Sequence, residues 1–146
     1  MDNIGGIVSA EYAIDLEVKS CVVIGQEIRI GFGGNKSWKE FSATPSKIEV
    51  TVIPNYENGL MCYTVSGVVF CPRCRLEKFG ELIKLQYRKI LLKYTTVSGD
   101  VLVAGDKSNP LKVLVENLTP TPANGYSGTK LTISGIMTHP SLSLVY

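Results

Sequence analysis

Lys47-Ile48-Glu49-Val50-Thr51-Val52-Ile53-Pro54-Asn55-Tyr56-Glu57-Asn58-Gly59 is the stretch from which the fold class follows. Ile48, Val50 and Val52 alternate with Lys47, Glu49 and Thr51, the period of a half-buried strand over Lys47 to Ile53. Pro54 has no N–H for a ladder, so it ends the run or marks an edge position. Asn55 to Gly59 reads as a hairpin loop with an Asn-Gly step. Leu60 to Phe70 is the returning strand.

Strand signals continue outward in both directions. Upstream, Ile7, Tyr12, Ile14, Leu16 and Val18 fall partly at period two between Gly6 and Val18. Cys21 to Ile24 is a short apolar run, and Glu27 to Phe32 alternates Ile28, Ile30 and Phe32 with Glu27, Arg29 and Gly31. Gly33-Gly34-Asn35 is a turn. Downstream, Lys89 to Thr96 and Val101 to Ala104 flank a turn at Ser98-Gly99-Asp100. Gly105 to Pro110 is a loop, Leu111 to Leu118 a strand, and Thr119 to Gly128 a long loop carrying Tyr126. Thr129 to Met137 is a strand with Leu131, Ile133 and Gly135 on one side. Thr138-His139-Pro140 breaks it before Leu142, Leu144 and Tyr146 alternate again. One segment, Arg73 to Gln86, has Leu76, Phe79, Leu82, Ile83 and Leu85 at helical spacing, with Pro72 suited to a first helical turn. The fold expected is mainly β, a sandwich or barrel of about eight to ten short strands. One α-helix at residues 73–86 packs on it.

Composition narrows the function classes. The 146 residues suit one domain and bury roughly two-thirds of their unfolded surface. Apolar residues are 45% and charged residues 19% of the chain, a globular and not a disordered balance. The net charge of +2 gives no concentrated basic face for nucleic acid. The densest basic stretch, Lys84 to Lys93 with Arg88 and Lys89, reads as a solvated helix end. No window reaches the roughly 18 apolar residues of a membrane span. Met1 to Gly6 lacks the pattern of a signal peptide. The chain is therefore expected in the cytoplasm where it is made, with its 4 cysteines reduced.

Candidate chemistry is sparse. Cys71-Pro72-Arg73-Cys74 follows a strand and opens the expected helix, where a thiol pKa would fall. A thioredoxin-like site belongs near βαβ units, and residues 1–60 offer only strands. Cys21, Cys62, Cys71 and Cys74 would make a zinc site only if the fold gathered all four, and one C-x-x-C without a second is a weak signal. Otherwise they are small hydrophobes. His139 reads as a surface turn residue. Asp15, Glu17, Asp100, Asp106 and Glu116 read as solvent-facing strand and turn positions. No catalytic residue, metal ligand or cofactor is expected. Trp38 and Phe41, in an aperiodic stretch, and Tyr126 at a loop tip are the candidate assembly contacts. For Trp38 the competing reading is a plug at one end of the barrel.

Four passages in order carry a resemblance. They are Asp2 to Val8; the return strand Met61 to Pro72 running into Leu76 to Leu85; Tyr87 to Leu111 with its Gly105-Asp106-Lys107-Ser108-Asn109-Pro110 segment; and Asn124-Gly125-Tyr126 followed by the strand ending Thr138 to Leu142. Together they resemble a family of small structural proteins encoded near tail genes of Bacteroidetes bacteriophages and prophages. The paired thiols Cys71 and Cys74 depart from that pattern. The resemblance implies a virion component without catalysis, in a tail tube, tail terminator or head–tail junction. Its partners would be identical copies in a ring and neighbouring virion proteins, with no specific nucleic acid and no membrane. A tail-tip module contacting a receptor or carbohydrate is the alternative, and a thiol oxidoreductase using Cys71 and Cys74 a third.

Overall fold

A computed structural model describes residues 7–41, 47–72, 82–118 and 128–145. Eleven strands among them join one hydrogen-bonded sheet. In chain order they are β1 (Ile7–Ile14), β2 (Val18–Ile24), β3 (Glu27–Phe32), β4 (Lys39–Glu40), β5 (Lys47–Glu57), β6 (Leu60–Pro72), β7 (Lys89–Thr96), β8 (Val101–Ala104), β9 (Leu111–Leu118), β10 (Gly128–Met137) and β11 (Leu142–Leu144). The path runs β2-β3-β11-β8-β7-β9-β10-β6-β5, with β1 on β7 and β4 on β1. All the pairings are antiparallel except the parallel β11–β3 pair.

Strand β7 organises this path. One edge pairs with β1 from Ile90↔Ile14 to Thr96↔Ile7. The other is shared: Ile90 faces Leu111 of β9, and Leu92 faces Ala104 of β8. The sheet therefore branches, and the branches stack on opposite faces of β7. Ile90, Leu92 and Tyr94 join Ala10, Tyr12, Leu111, Val113, Leu131, Ile133, Val65 and Val69 in a larger cluster. Leu91 points the other way, onto Ala13, Val18, Ile28, Val103 and Leu142. Alternate side chains leave opposite faces of a strand, so Ile90-Leu91-Leu92 feeds two cores. Strands β5, β6, β9 and β10 cover one face, and β2, β3 and β11 the other.

The hairpin is more regular than its sequence predicts. Strand β5 continues through Pro54 to Glu57, and the connection is only Asn58-Gly59. Both have positive φ, 52° and 81°, as a two-residue turn matched to strand twist requires. Pro54 does not end the strand because β5 is an edge strand, whose outward groups need no ladder partner. Gly135 is packed for a different reason. A Cβ there would fall 2.6 Å from Leu111 Cδ2, so the missing side chain makes room for buried Leu111.

Two expectations change. The sheet is open, because among the described residues no strand pairs with the outer edges of β2 and β5; it does not close into a barrel. Of the helix expected over residues 73–86, residues 73–81 lie outside the described residues. The remainder is Leu82 and Ile83 in helical conformation, running into a 3₁₀ turn over Lys84–Tyr87. Among the described residues only Leu82 and Ile83 are α-helical, and the helix does not continue to Gln86. Leu82 and Leu85 are buried in the larger cluster, and Gln86 Oε1 accepts the Val115 N–H at 2.9 Å.

Because Leu91 and Leu92 serve different cores, Leu91→Ala and Leu92→Ala are each expected to cost about 2–5 kcal/mol. Urea unfolding of both variants checks this. A near-neutral result for either would mean that its face of β7 is not buried.

Candidate functional site

Between β8 and β9 the chain leaves the edge of β7 at Ala104 and rejoins it at Leu111. The excursion, Gly105-Asp106-Lys107-Ser108-Asn109-Pro110, concentrates the polar contacts of the described chain. Gly105 has φ +87°, and a Cβ would lie 3.0 Å from Leu111 Cγ. Its N–H points at Met137 Sδ, 2.8 Å away. The Asp106 N–H donates to the Asn109 carbonyl at 3.3 Å and the Asn109 N–H returns to the Asp106 carbonyl at 3.2 Å. The Asn109 N–H also meets Asp106 Oδ1 at 2.7 Å.

From this knot three ties reach other parts of the chain. Lys107 Nζ donates to the Val18 carbonyl at 2.6 Å and the Asp15 carbonyl at 3.2 Å, holding the 3₁₀ turn between β1 and β2. Asp106 Oδ2 lies 2.6 Å from His139 Nε2. His139 Nδ1 lies 2.8 Å from the Pro140 carbonyl. Next to it, Tyr94 Oη donates to Ser141 Oγ at 2.8 Å. The sequence reading of Asp106 as solvent-facing and His139 as a surface turn residue is thus corrected. Asp106 is only 7% exposed, because an aspartate that accepts from both a backbone N–H and an imidazole can leave water.

Both ring nitrogens of His139 are engaged in this arrangement, Nδ1 with the Pro140 carbonyl and Nε2 with the Asp106 carboxylate. Cys21, on β2, senses both loop charges. Burial raises its thiol pKa, the Lys107 backbone hydrogen bond lowers it, and the Asp106 and Lys107 charges oppose each other. The net result is a protonated thiol, the reverse of an activated one. Glu17 is paired with Lys39 at 3.1 Å and Lys36 at 3.8 Å. Lys93, from the basic stretch, is largely buried and bonded to Glu11 at 2.8 Å.

The candidate contact residues have separate fates. Phe41 turns inward, 6% exposed, with its ring 5.1 Å from that of Tyr12. Trp38 is half-buried against the smaller cluster, edge-on to Phe32 at 5.6 Å with Lys93 Nζ 5.3 Å from its ring centre. Tyr126 lies outside the described residues, as do Cys74 and the Cys71 side chain. Cys21 and Cys62 are free thiols on β2 and β6. Among the described residues no three His, Cys, Asp or Glu side chains are grouped to hold a metal. No helix there is long and apolar enough to cross a membrane.

Two exposed apolar surfaces complete the inventory, and sequence reasoning passed over both. At the β2 edge, Val22, Val23 and Ile24 are exposed, Ile24 to 73%. A cleft of about 210 Å³ there is lined by Val22, Ile24, Glu27, Ile28, Arg29 and Val145. The second surface is the tip of the β5–β6 hairpin. Strand β10 accompanies β6 only as far as Met137↔Tyr63, so residues 54–62 project as a two-stranded arm. Tyr56 and Leu60 are each 70% exposed on it, with Ile53 and Met61 beside them. The Tyr56–Met61 pair prolongs the inner-face series Val52–Val65 and Pro54–Tyr63 beyond the sheet. The apolar run Val22-Val23-Ile24 and the Asn-Gly hairpin were legible; their exposure is set by where β10 and β11 stop.

Two outcomes test this account. Asp106→Ala and His139→Ala are each expected to cost about 1–3 kcal/mol, and the double variant no more than the larger single loss, because both remove one contact. Additive losses in urea unfolding would dissolve the pair. Burial also raises the Tyr94 phenol above its ordinary 10.0, against the opposing bond to Ser141. The unfolded chain then releases its proton first, so stability holds below about pH 10 and falls above it. Tyr94→Phe should flatten that fall in alkaline thermal melts.

Set beside known proteins, the chain matches no family model, no curated protein and no solved structure.

Proposed function

We propose that this chain is a structural protein of bacteriophage virions, built as rings of identical copies into the tail tube, the tail terminator or the head–tail junction. It would be made in the cytoplasm of the host bacterium and contact other virion proteins above and below the ring. The observation that carries the reading is the set of exposed apolar side chains at the two ends of the sheet, Val22, Val23 and Ile24 on β2 and Tyr56 and Leu60 at the tip of the β5–β6 arm. Exposed apolar surface of this kind marks interaction sites. The ordered resemblance of the four passages supplies the biological setting. An assembly role needs no catalytic group.

The decisive measurement is the protein content of purified particles. Mass spectrometry of virions from a host carrying this gene should find the chain in many copies per particle, and electron microscopy of the isolated protein should show rings. Absence from purified virions overturns the reading. A few copies confined to the tail tip would move the chain to the receptor-contacting role instead.

A further inference from the structure

We infer that the cavity beyond the end of the β1–β7 ladder holds a small aromatic phosphate monoester, its phosphate on Lys84 and Arg88 and its ring against Tyr87. This goes beyond the assembly reading and does not depend on it. The ladder stops at Ile14↔Ile90. Past that pair each strand gives way to its own 3₁₀ turn, Asp15–Glu17 after β1 and Lys84–Tyr87 before β7. A cavity of about 410 Å³ lies between the two turns and is lined by residues of both. That volume falls within the roughly 300–1,000 Å³ of small-ligand sites.

The lining combines an apolar base with cations that nothing else uses. Tyr12 and Leu85 belong to the larger cluster and Ile14 packs on it, so the core fixes this part of the wall. Leu16 and Tyr87 line the same space but stay 74% and 83% exposed. Among the described residues the side chains of Lys84 and Arg88 make no ion pair or hydrogen bond. The acid in the lining, Glu17, is already met by Lys39 at 3.1 Å and Lys36 at 3.8 Å. The cavity is therefore left with two positive charges to satisfy. The backbone explains which cations these are. Arg88 is extended, with φ −130° and ψ 158°, directly before β7. Alternation sends its side chain to the face of Ile90, the face of the larger cluster, and sends Lys89 to the opposite face with Leu91. Accordingly Arg88 lines the cavity and Lys89 does not. The basic run that reads in sequence as one solvated cluster is thus divided: Lys84 and Arg88 to the cavity, Lys93 to Glu11, Lys89 to the other face.

Two cations over an apolar base call for a doubly charged head on an apolar body. A phosphate monoester carries about 1.5–2 negative charges at neutral pH, where a carboxylate carries one. The guanidinium fork pairs with two phosphate oxygens and the ammonium adds a point charge. The exposed Tyr87 ring offers a face to an aromatic body.

Calorimetric titration of the full chain with phenyl phosphate tests the site, at about 0.15 M salt, where charges more than about 8 Å away are largely screened. The wild type should bind saturably with a Kd below about 1 mM. Lys84→Gln and Arg88→Gln should each weaken binding about tenfold or more. Lys89→Gln should stay within about twofold of the wild type, because its charge leaves the other face. Tyr87→Ala should weaken phenyl phosphate and leave inorganic phosphate, which has no ring to place, unchanged. All four side chains are exposed, so each variant should keep the wild-type circular dichroism and melting temperature. Amide shift mapping of phenyl phosphate on the wild type gives a reading free of variants, and the perturbed signals should centre on Leu16 and on Leu85 to Arg88. No saturable binding overturns the site, as do shifts centred elsewhere, or a loss in Lys89→Gln equal to that in Arg88→Gln. The virion reading is judged separately, by particle content, and neither result moves it.

Discussion

Strand β7 has to bury both of its faces, and the rest of the molecule is arranged around that need. An antiparallel sheet ordinarily has one wet face. Here Ile90 and Leu92 on one side and Leu91 on the other are all fully inaccessible. A single sheet cannot cover both faces of one of its own strands unless it branches. The branch is made where β8 and β9 divide one edge of β7 between them. The excursion Gly105 to Pro110 is the cost of that division, and its polar groups are spent on tying the layers together.

The ties fix how the two layers sit on β7. Lys107 fastens the turn that leads into β2, and Asp106 fastens, through His139, the link between β10 and β11. Gly105 meets Met137 at the end of β10. The β2 edge and the β6 side of the molecule are thus joined through one cross-bonded knot. With Gly105 and Asp106 buried but Lys107 and Ser108 exposed, it is the cross-bonds that make this loop a rivet.

Local patterns were readable in the sequence, and relations between distant residues were not. The hairpin over Lys47 to Phe70 was legible because an Asn-Gly step between alternating runs has one common solution. Of the two readings of Pro54, a strand end or an edge position, the edge holds, and the loop read over Asn55 to Gly59 shrinks to Asn58-Gly59; which of the two applies is a property of the whole sheet. The helical spacing over Arg73 to Gln86 falls largely outside the described residues; within them Leu82 and Ile83 are helical and the stretch tightens into a 3₁₀ turn at Lys84–Tyr87, a change that spacing alone does not signal. The uninterrupted Ile90-Leu91-Leu92 announced burial on two faces, a signal that period-two reading sets aside. The Asp106–His139 bond joins residues 33 apart, and the Lys107–Val18 bond residues 89 apart. Neither has a local signature. Phe41 looked available because its segment has no period; its partner Tyr12 is on another strand.

The parallel pairing of β11 with β3 has a consequence for the order of events during synthesis. Strand β3 is hydrogen-bonded to the rest of the sheet only through β11, since its other neighbour is β2, with which it forms a hairpin. A two-stranded hairpin alone is marginal in water. The β2 edge therefore has no firm foundation until residues 142–144 have left the ribosome, more than a hundred residues after β3 itself. The topology acts as a clock that leaves the outermost hairpin without its ladder partner until translation has passed β11.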